Sequence, residues 1–258
     1  MKLAVAGKGG VGKTSFTAWL ADYLVRSGHE VWLVDADTAL SLGVAMGLAS
    51  EEIPTPLIAD EKLIRERVGA GGMLRLNPNV DDLPQRLVTS VAGANLLVMG
   101  SVAGAGGGCA CGPNSLLKSL LAHLVLDRGK QWVLVDLEAG VEHLGRGTVS
   151  AVDGLVIVGE PSRRSLETGA SISRMARDLG LTNHVLVLNR TPDDVRLPAM
   201  DGLPPLAATI PVLPSLVSRQ LTDGSVLGLE EREDIDLRLD QVLAALAVGF
   251  GSDDTLSH

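Results

Sequence analysis

Eight consecutive residues, Gly7-Lys8-Gly9-Gly10-Val11-Gly12-Lys13-Thr14, have the types and spacing of a phosphate-binding loop. Their glycines let successive backbone N–H groups turn toward one anion. A helix opening directly after them adds the partial positive charge of its N-terminus. Lys13 is spaced to reach the β- and γ-phosphates of a nucleotide, and the Thr14 hydroxyl to ligate Mg²⁺. Ser15 carries the same cofactor-binding stretch into the helix. Lys8 is not needed to cradle phosphates within one chain. Asp136 ends an apolar stretch, the place of an acid that supports Mg²⁺ through water. Leu137-Glu138-Ala139-Gly140 follows and reads as a switch, because Gly140 permits the backbone to approach a γ-phosphate and to withdraw when it is lost. Asp35-Ala36-Asp37 ends another apolar stretch.

A second chemistry lies in Cys109 and Cys111, set among glycines at 104, 106, 107, 108 and 112. A Cys-x-Cys disulfide would be badly strained and out of place in a reducing compartment. Two thiolates do not complete a four-coordinate soft-metal site. Two subunits related by a two-fold axis would supply four sulfurs. Four thiolates suit tetrahedral Zn²⁺ or square-planar Ni²⁺.

The elements that must position these groups follow from hydrophobic periodicity. Leu3 to Ala6 is an apolar strand leading into the loop. Phe16, Trp19, Leu20, Tyr23 and Leu24 share one face of a helix over 13–27, with Gly28 as its C-terminal cap. Strands are expected over 30–34, 73–76, 86–91, 95–99, 132–135, 155–158, 185–188 and 206–210, with the pair 86–91 and 95–99 joined by a turn at Gly93. Helices are expected over 61–68, 114–126, 163–179 and 231–248. Residues 38–56 read as a switch region and loop, and 249–258 as a frayed tail. Strands alternating with helices specify an α/β fold, a mainly parallel central sheet flanked by helices. Neither repeat nor linker interrupts the chain, so 1–258 is expected to be one domain, with ligands at the carboxyl ends of the strands.

Composition narrows the function. Apolar residues make up 46% of the 258 residues but aromatics only 2%. The core must therefore be built from Val, Leu, Ile and Ala, which suits a sheet buried on both faces. A net charge of −9 argues against nucleic acid and against an anionic membrane surface as partners. Met1-Lys2 runs straight into the first strand with no secretory signal, and no stretch approaches a membrane span, so a cytoplasmic protein is expected.

The loop with its extra Lys8 resembles the deviant Walker A motif of the MinD/ParA/NifH class of P-loop ATPases, a MinD-like (SIMIBI) P-loop NTPase fold. That resemblance implies that Lys8 crosses a nucleotide-dependent homodimer interface to a phosphate in the partner. It implies that Asp37 lies in a first switch, helping to hold Mg²⁺ and orient the attacking water, with Asp35 in a supporting role. Many relatives have proline where this chain has Thr38. Lys8, Lys13, Asp37 and Asp136 are thus the expected catalytic set. Asn189 is implied to bond the adenine edge, beside Arg190, with Pro211 and Val212 packing against the base. A guanine reader would need Asn-Lys-x-Asp, which Arg190 and Pro192 break, so ATP and ADP are favoured over GTP.

Longer stretches are similar to one branch of that class, the CooC-type ATPases that insert nickel into carbon monoxide dehydrogenase. They are 73–78, 97–100, 138–148 and 160–165, together with the cysteine loop. The resemblance implies a metallochaperone whose Cys109 and Cys111 bind Ni²⁺ or Zn²⁺ at the homodimer interface, with carbon monoxide dehydrogenase or a related nickel enzyme as client. His143 is a further ligand or relay by position only, and a packed or solvated histidine is the plainer reading. Two other functions stay open. One is an ATP-dependent Fe–S carrier or reductase, although the NifH-type reductase spaces its cysteines far apart. The other is a MinD/ParA-type positioning switch, although MinD-type proteins end in a basic amphipathic helix and residues 230–236 here are acidic.

Overall fold

The computed structural model describes residues 1–69, 75, 77–100, 111–127, 131–138, 140 and 152–251. Its frame is an eight-stranded sheet. The strands are β1 (Lys2–Gly7), β2 (Val31–Ala36), β3 (Thr89–Val91), β4 (Ala94–Val98), β5 (Trp132–Leu137), β6 (Gly154–Gly159), β7 (His184–Asn189) and β8 (Leu206–Ile210). They lie in the order β3-β4-β2-β5-β1-β6-β7-β8. Every pairing is parallel except β3 with β4, an antiparallel edge hairpin. Ala92 and Gly93 turn that hairpin with φ of 45° and 81°, the two left-handed residues that a tight hairpin needs.

Helices cover both faces: α1 (Lys13–Arg26), the single turn α2 (Leu42–Ala45), α3 (Glu61–Val68), α4 (Leu83–Leu87), α5 (Cys111–Asp127), α6 (Arg163–Asp178), α7 (Pro214–Arg219) and α8 (Arg232–Gly251). Strand alternation sends Leu3, Val5 and Leu33 into one core with α1 and α8. It sends Ala4, Ala6 and Val34 into the other with α3, α5 and α6. Each fully buried leucine in these layers contributes about 1.5–3 kcal/mol of transfer free energy.

The expected strand over 86–91 is corrected. Leu83–Leu87 is helical with Pro84 in its first turn, a position where proline is pre-organised for helix. Only Thr89–Val91 pairs with β4. The helix expected over 114–126 begins three residues earlier, at Cys111. The frayed tail expected from 249 is corrected in part, since the last helix continues through Gly251. Residues 252–258 and the strand expected over 73–76 fall outside the described residues, apart from Arg75, whose N–H bonds the Val68 carbonyl at 2.8 Å.

Candidate nucleotide site

The loop between β1 and α1 sits at the carboxyl edge of the sheet, hemmed in by neighbouring strands. A Cβ on Gly7 would lie 2.2 Å from the Val158 carbonyl oxygen of β6, so glycine is required there. Gly10 and Gly12 are left-handed, with φ of 82° and 97°. Gly9 and Gly10 are exposed, Val11 is buried, and Lys8 is half-buried with its carbonyl accepting the Val11 N–H. The first turn of α1 holds no acidic residue. Its unpaired N–H groups therefore keep their positive end for an anion.

Four carboxylates cluster behind this loop, and their partners differ. Asp35, 1% exposed, accepts the N–H of Asp37 on one oxygen and that of Leu42 on the other, at 3.3 and 3.0 Å. It therefore holds the turn after β2 in shape. Asp37 accepts the Ala39 N–H at 2.9 Å and faces the Lys13 ammonium at 3.7 Å. Asp136, fully buried, accepts the Thr14 hydroxyl at 2.6 Å on Oδ2. The Ser41 hydroxyl lies 3.5 Å from that of Thr14. Glu138 accepts the Thr38 hydroxyl at 3.1 Å on Oε1, joining the segments after β2 and β5.

Burial pushes the Asp136 carboxyl up to about 7, with the charges of Asp35 and Asp37 adding to the rise while the Thr14 hydroxyl and Lys13 oppose it. Burial likewise lifts Asp35 to about 6. Asp136 Oδ1 is buried and has no hydrogen-bond partner among the described residues. An oxygen-only set with a buried free acceptor suits a hard divalent cation. Thr14 and Asp136, with Asp37 nearby, are the residues that would hold Mg²⁺.

On the other side of the loop a cleft of about 250 Å³ is lined by Ser15, Asn189, Arg190, Pro211, Val212 and residues of the α7 region. Asn189, Arg190, Pro211 and Val212, the residues expected from the sequence at the base, thus meet in one place, with Ser15 of the phosphate-loop stretch beside them. Asn189 also braces the phosphate loop, donating from Nδ2 to the Val11 carbonyl at 2.8 Å and accepting the Arg190 N–H on Oδ1. Arg190 donates to the Gly10 carbonyl and pairs with Glu160. Leu213, Leu216, Val217, Gln220 and Leu221 complete the cleft. Sequence reasoning missed them, because Pro214 and Ser215 interrupt the apolar residues that follow Pro211.

Residues 2–221 match the model of the CobQ/CobB/MinD/ParA nucleotide binding domain. The chain is 45% identical over 203 residues to the carbon monoxide dehydrogenase accessory protein CooC of Rhodospirillum rubrum, covering 76% of this chain and 77% of that protein. The chain belongs to the MinD/ParA nucleotide-binding family, in its CooC branch. An uncharacterized ATP-binding protein of Methanocaldococcus jannaschii is 40% identical over 195 residues, 74% of this chain and 75% of that one. Among solved structures, MinD in the MinC:MinD cell division complex of Aquifex aeolicus shares the fold with a TM-score of 0.67, at 20% identity over 100% of this chain and 98% of that one. Membership in this family makes the chain an ATPase.

Cys109 and His143 fall outside the described residues, and of Cys111 only the backbone is described, where it opens α5. Among the described residues no group of three or more His, Cys, Asp and Glu is placed to hold a metal. The chain's exit from β4 is informative. The N–H groups of Met99 and Gly100 both bond the Asp35 carbonyl, at 2.9 and 3.1 Å. The cysteine-bearing segment therefore departs from the strand end that also carries Asp37.

Proposed function

We propose that this chain is an ATP-driven metallochaperone that delivers nickel to carbon monoxide dehydrogenase or a related nickel enzyme, acting as a homodimer. The observation that carries this reading is the 45% identity to CooC over three quarters of both chains. The Cys109-Ala110-Cys111 sequence and the bonding of the chain that leads to it, at Met99 and Gly100, to the Asp35 carbonyl support it.

In this reading Lys13 and the loop N–H groups bind the β- and γ-phosphates, and Asn189, Arg190, Pro211 and Val212 hold the base. Mg²⁺ supplies charge neutralisation at the phosphates when bound. Thr14 and Asp136 would hold it, with Asp37 nearby beside Lys13. Lys8 reaches the partner's phosphate and closes the dimer. The nickel ion, or zinc in its place, is cargo. Closure brings two cysteine pairs together, and hydrolysis, by reopening the dimer, halves the sulfur count and loosens the ion. The coupling runs through β2: Asp37 senses the γ-phosphate, and the Asp35 carbonyl holds the start of the cysteine segment.

The test is anaerobic Ni²⁺ and Zn²⁺ titration of the wild type and of Cys109→Ser/Cys111→Ser, without nucleotide, with ADP and with a slowly hydrolysed ATP analogue. One ion per dimer, lost in the variant and tighter with the ATP analogue, is the expected result. Equal affinity in all three nucleotide states would end the gated-carrier reading. A brown, iron-containing isolate would favour a cluster carrier instead.

A further inference from the structure

The four carboxylates behind the phosphate loop have eight oxygens, and tracing each one's partner singles out one group. Both Asp35 oxygens accept backbone N–H groups. Asp37 has one oxygen on the Ala39 N–H and the other on the Lys13 side. Asp136 has one oxygen on Thr14, the residue expected on Mg²⁺, and its free oxygen belongs to that cation side. Glu138 has one oxygen on the Thr38 hydroxyl, and its second, Oε2, is buried with no hydrogen-bond partner among the described residues. A buried, unpaired carboxylate oxygen is costly unless something donates to it.

We propose that Thr38 and Glu138 form a hydrogen-bonded pair that orients the attacking water of ATP hydrolysis. The Thr38 hydroxyl pins Oε1, and this fixes the carboxylate so that Oε2 accepts an O–H of the water. The water oxygen forms a bond to the γ-phosphorus as the bond from that phosphorus to the β,γ-bridging oxygen breaks. The electron pair of the broken bond leaves with ADP, and the water's proton ends on the released phosphate. Glu138 only accepts a hydrogen bond, adding a second acceptor to the orienting role that the family resemblance gives Asp37, which keeps its place beside Lys13. Such orientation is a large part of phosphoryl-transfer catalysis, where the protein's contribution is positioning and electrostatics. The pair also ties the switch after β2 to the switch after β5, so the water is held only when both are in place. Thr38 is then a positioning residue that acts through Glu138.

The inference rests on Lys13, Thr14 and Asp136 marking the phosphate end of the site, so the experiment separates the two. Steady-state phosphate release by the full chain with Mg-ATP is measured for Glu138→Gln, Thr38→Val, Thr38→Ser and Lys13→Ala, alongside titration with a fluorescent ATP analogue. Glu138→Gln should lower kcat by ~100-fold and Thr38→Val by ~10-fold, with analogue affinity and KM kept, because a misplaced reacting group costs about two orders of magnitude. Thr38→Ser should regain most of what Thr38→Val loses. Lys13→Ala should lose nucleotide binding itself, and retained binding there would instead overturn the assignment of the phosphate end. A Glu138→Gln enzyme turning over within twofold of wild type would overturn the proposal. So would a Thr38→Val enzyme altered in KM but not in kcat, since a mere structural tie predicts that pattern.

Discussion

Gly12 shows how closely the phosphate loop is built into its surroundings. Its φ is 97°, and a Cβ there would meet Asn189 Nδ2 at 2.2 Å. Gly12→Ala would strain the left-handed backbone by about 1–2 kcal/mol. It would also displace the amide from the Val11 carbonyl, a hydrogen bond worth about 1 kcal/mol. The expected outcome is a loss of roughly 2–3 kcal/mol in urea unfolding, together with lost nucleotide binding. Adding Asn189→Ala removes the obstacle, so the double variant should lose less than the two single losses summed. Asp136 offers a second test. Its folded value of about 7, and the value of about 6 at Asp35, lie above the ordinary 3.8. A carboxyl raised by folding contributes stability that is complete below about pH 4 and is lost as pH rises through the folded value. The nucleotide-free chain should therefore weaken between about pH 4 and pH 7, by a few kcal/mol in order of magnitude. Asp136→Asn cannot ionise and should flatten that profile, which unfolding midpoints at pH 5 and pH 8 would show.

At the scale of elements, the cleft proposed for the base depends on α7. Val217 and Leu221 are 57% and 85% exposed yet line the cleft with Asn189 and Pro211. Apolar side chains left open beside a polar loop fit a flat aromatic base that covers them on binding. Val217→Asp should weaken ATP binding by ~10-fold, the equivalent of about 1.4 kcal/mol. The unfolding midpoint should hold, because the side chain is not in the core. Unchanged affinity in a fluorescent-ATP titration would move the base elsewhere. This helix was not legible in the sequence. It is six residues long and opens on Pro214 after an extended Leu213, so it carries too few turns for a periodicity. The helix α4 was hidden differently, because Val88, Thr89 and Val91 favour strand and the proline that starts the helix reads as a break. The central strands were legible, since each is a short run of Val, Leu and Ile bounded by turn residues. Lys13, Thr14 and Asp136 were legible too, because loop and strand end are local patterns. The Glu160 to Arg190 pair and the clamp of Arg238 on Asp193 and Thr209 were not. They join residues 30, 45 and 29 apart that only the sheet order brings together.

For the molecule as a whole, β2 lies where the candidate nucleotide site meets the chain that leaves β4 toward the cysteines. It lies between β4 and β5, in register with both, so that Asp35 stands beside Val98 on one side and Asp136 on the other. The strand end that faces the phosphates is therefore bonded to the chain leaving β4 for the cysteines and flanked by the chain leaving β5 for the second switch. In the proposed cycle a change at the γ-phosphate would reach both exits within one sheet edge, with no long relay through the core. A single chain still offers only two thiolates, and the loop of a single chain has no use for Lys8. Both features fit the homodimer proposed above. Lys8→Ala should accordingly bind the ATP analogue almost as tightly as wild type, since Lys13 and the loop N–H groups are kept. It should remain monomeric by light scattering at concentrations where the wild type with analogue doubles its mass. Its cysteine-dependent metal should then stay at the weak, nucleotide-independent affinity of two sulfurs. A Lys8→Ala chain that dimerises and tightens on metal like the wild type would show that dimer closure is driven from elsewhere on the surface, and that the extra lysine serves only its own nucleotide.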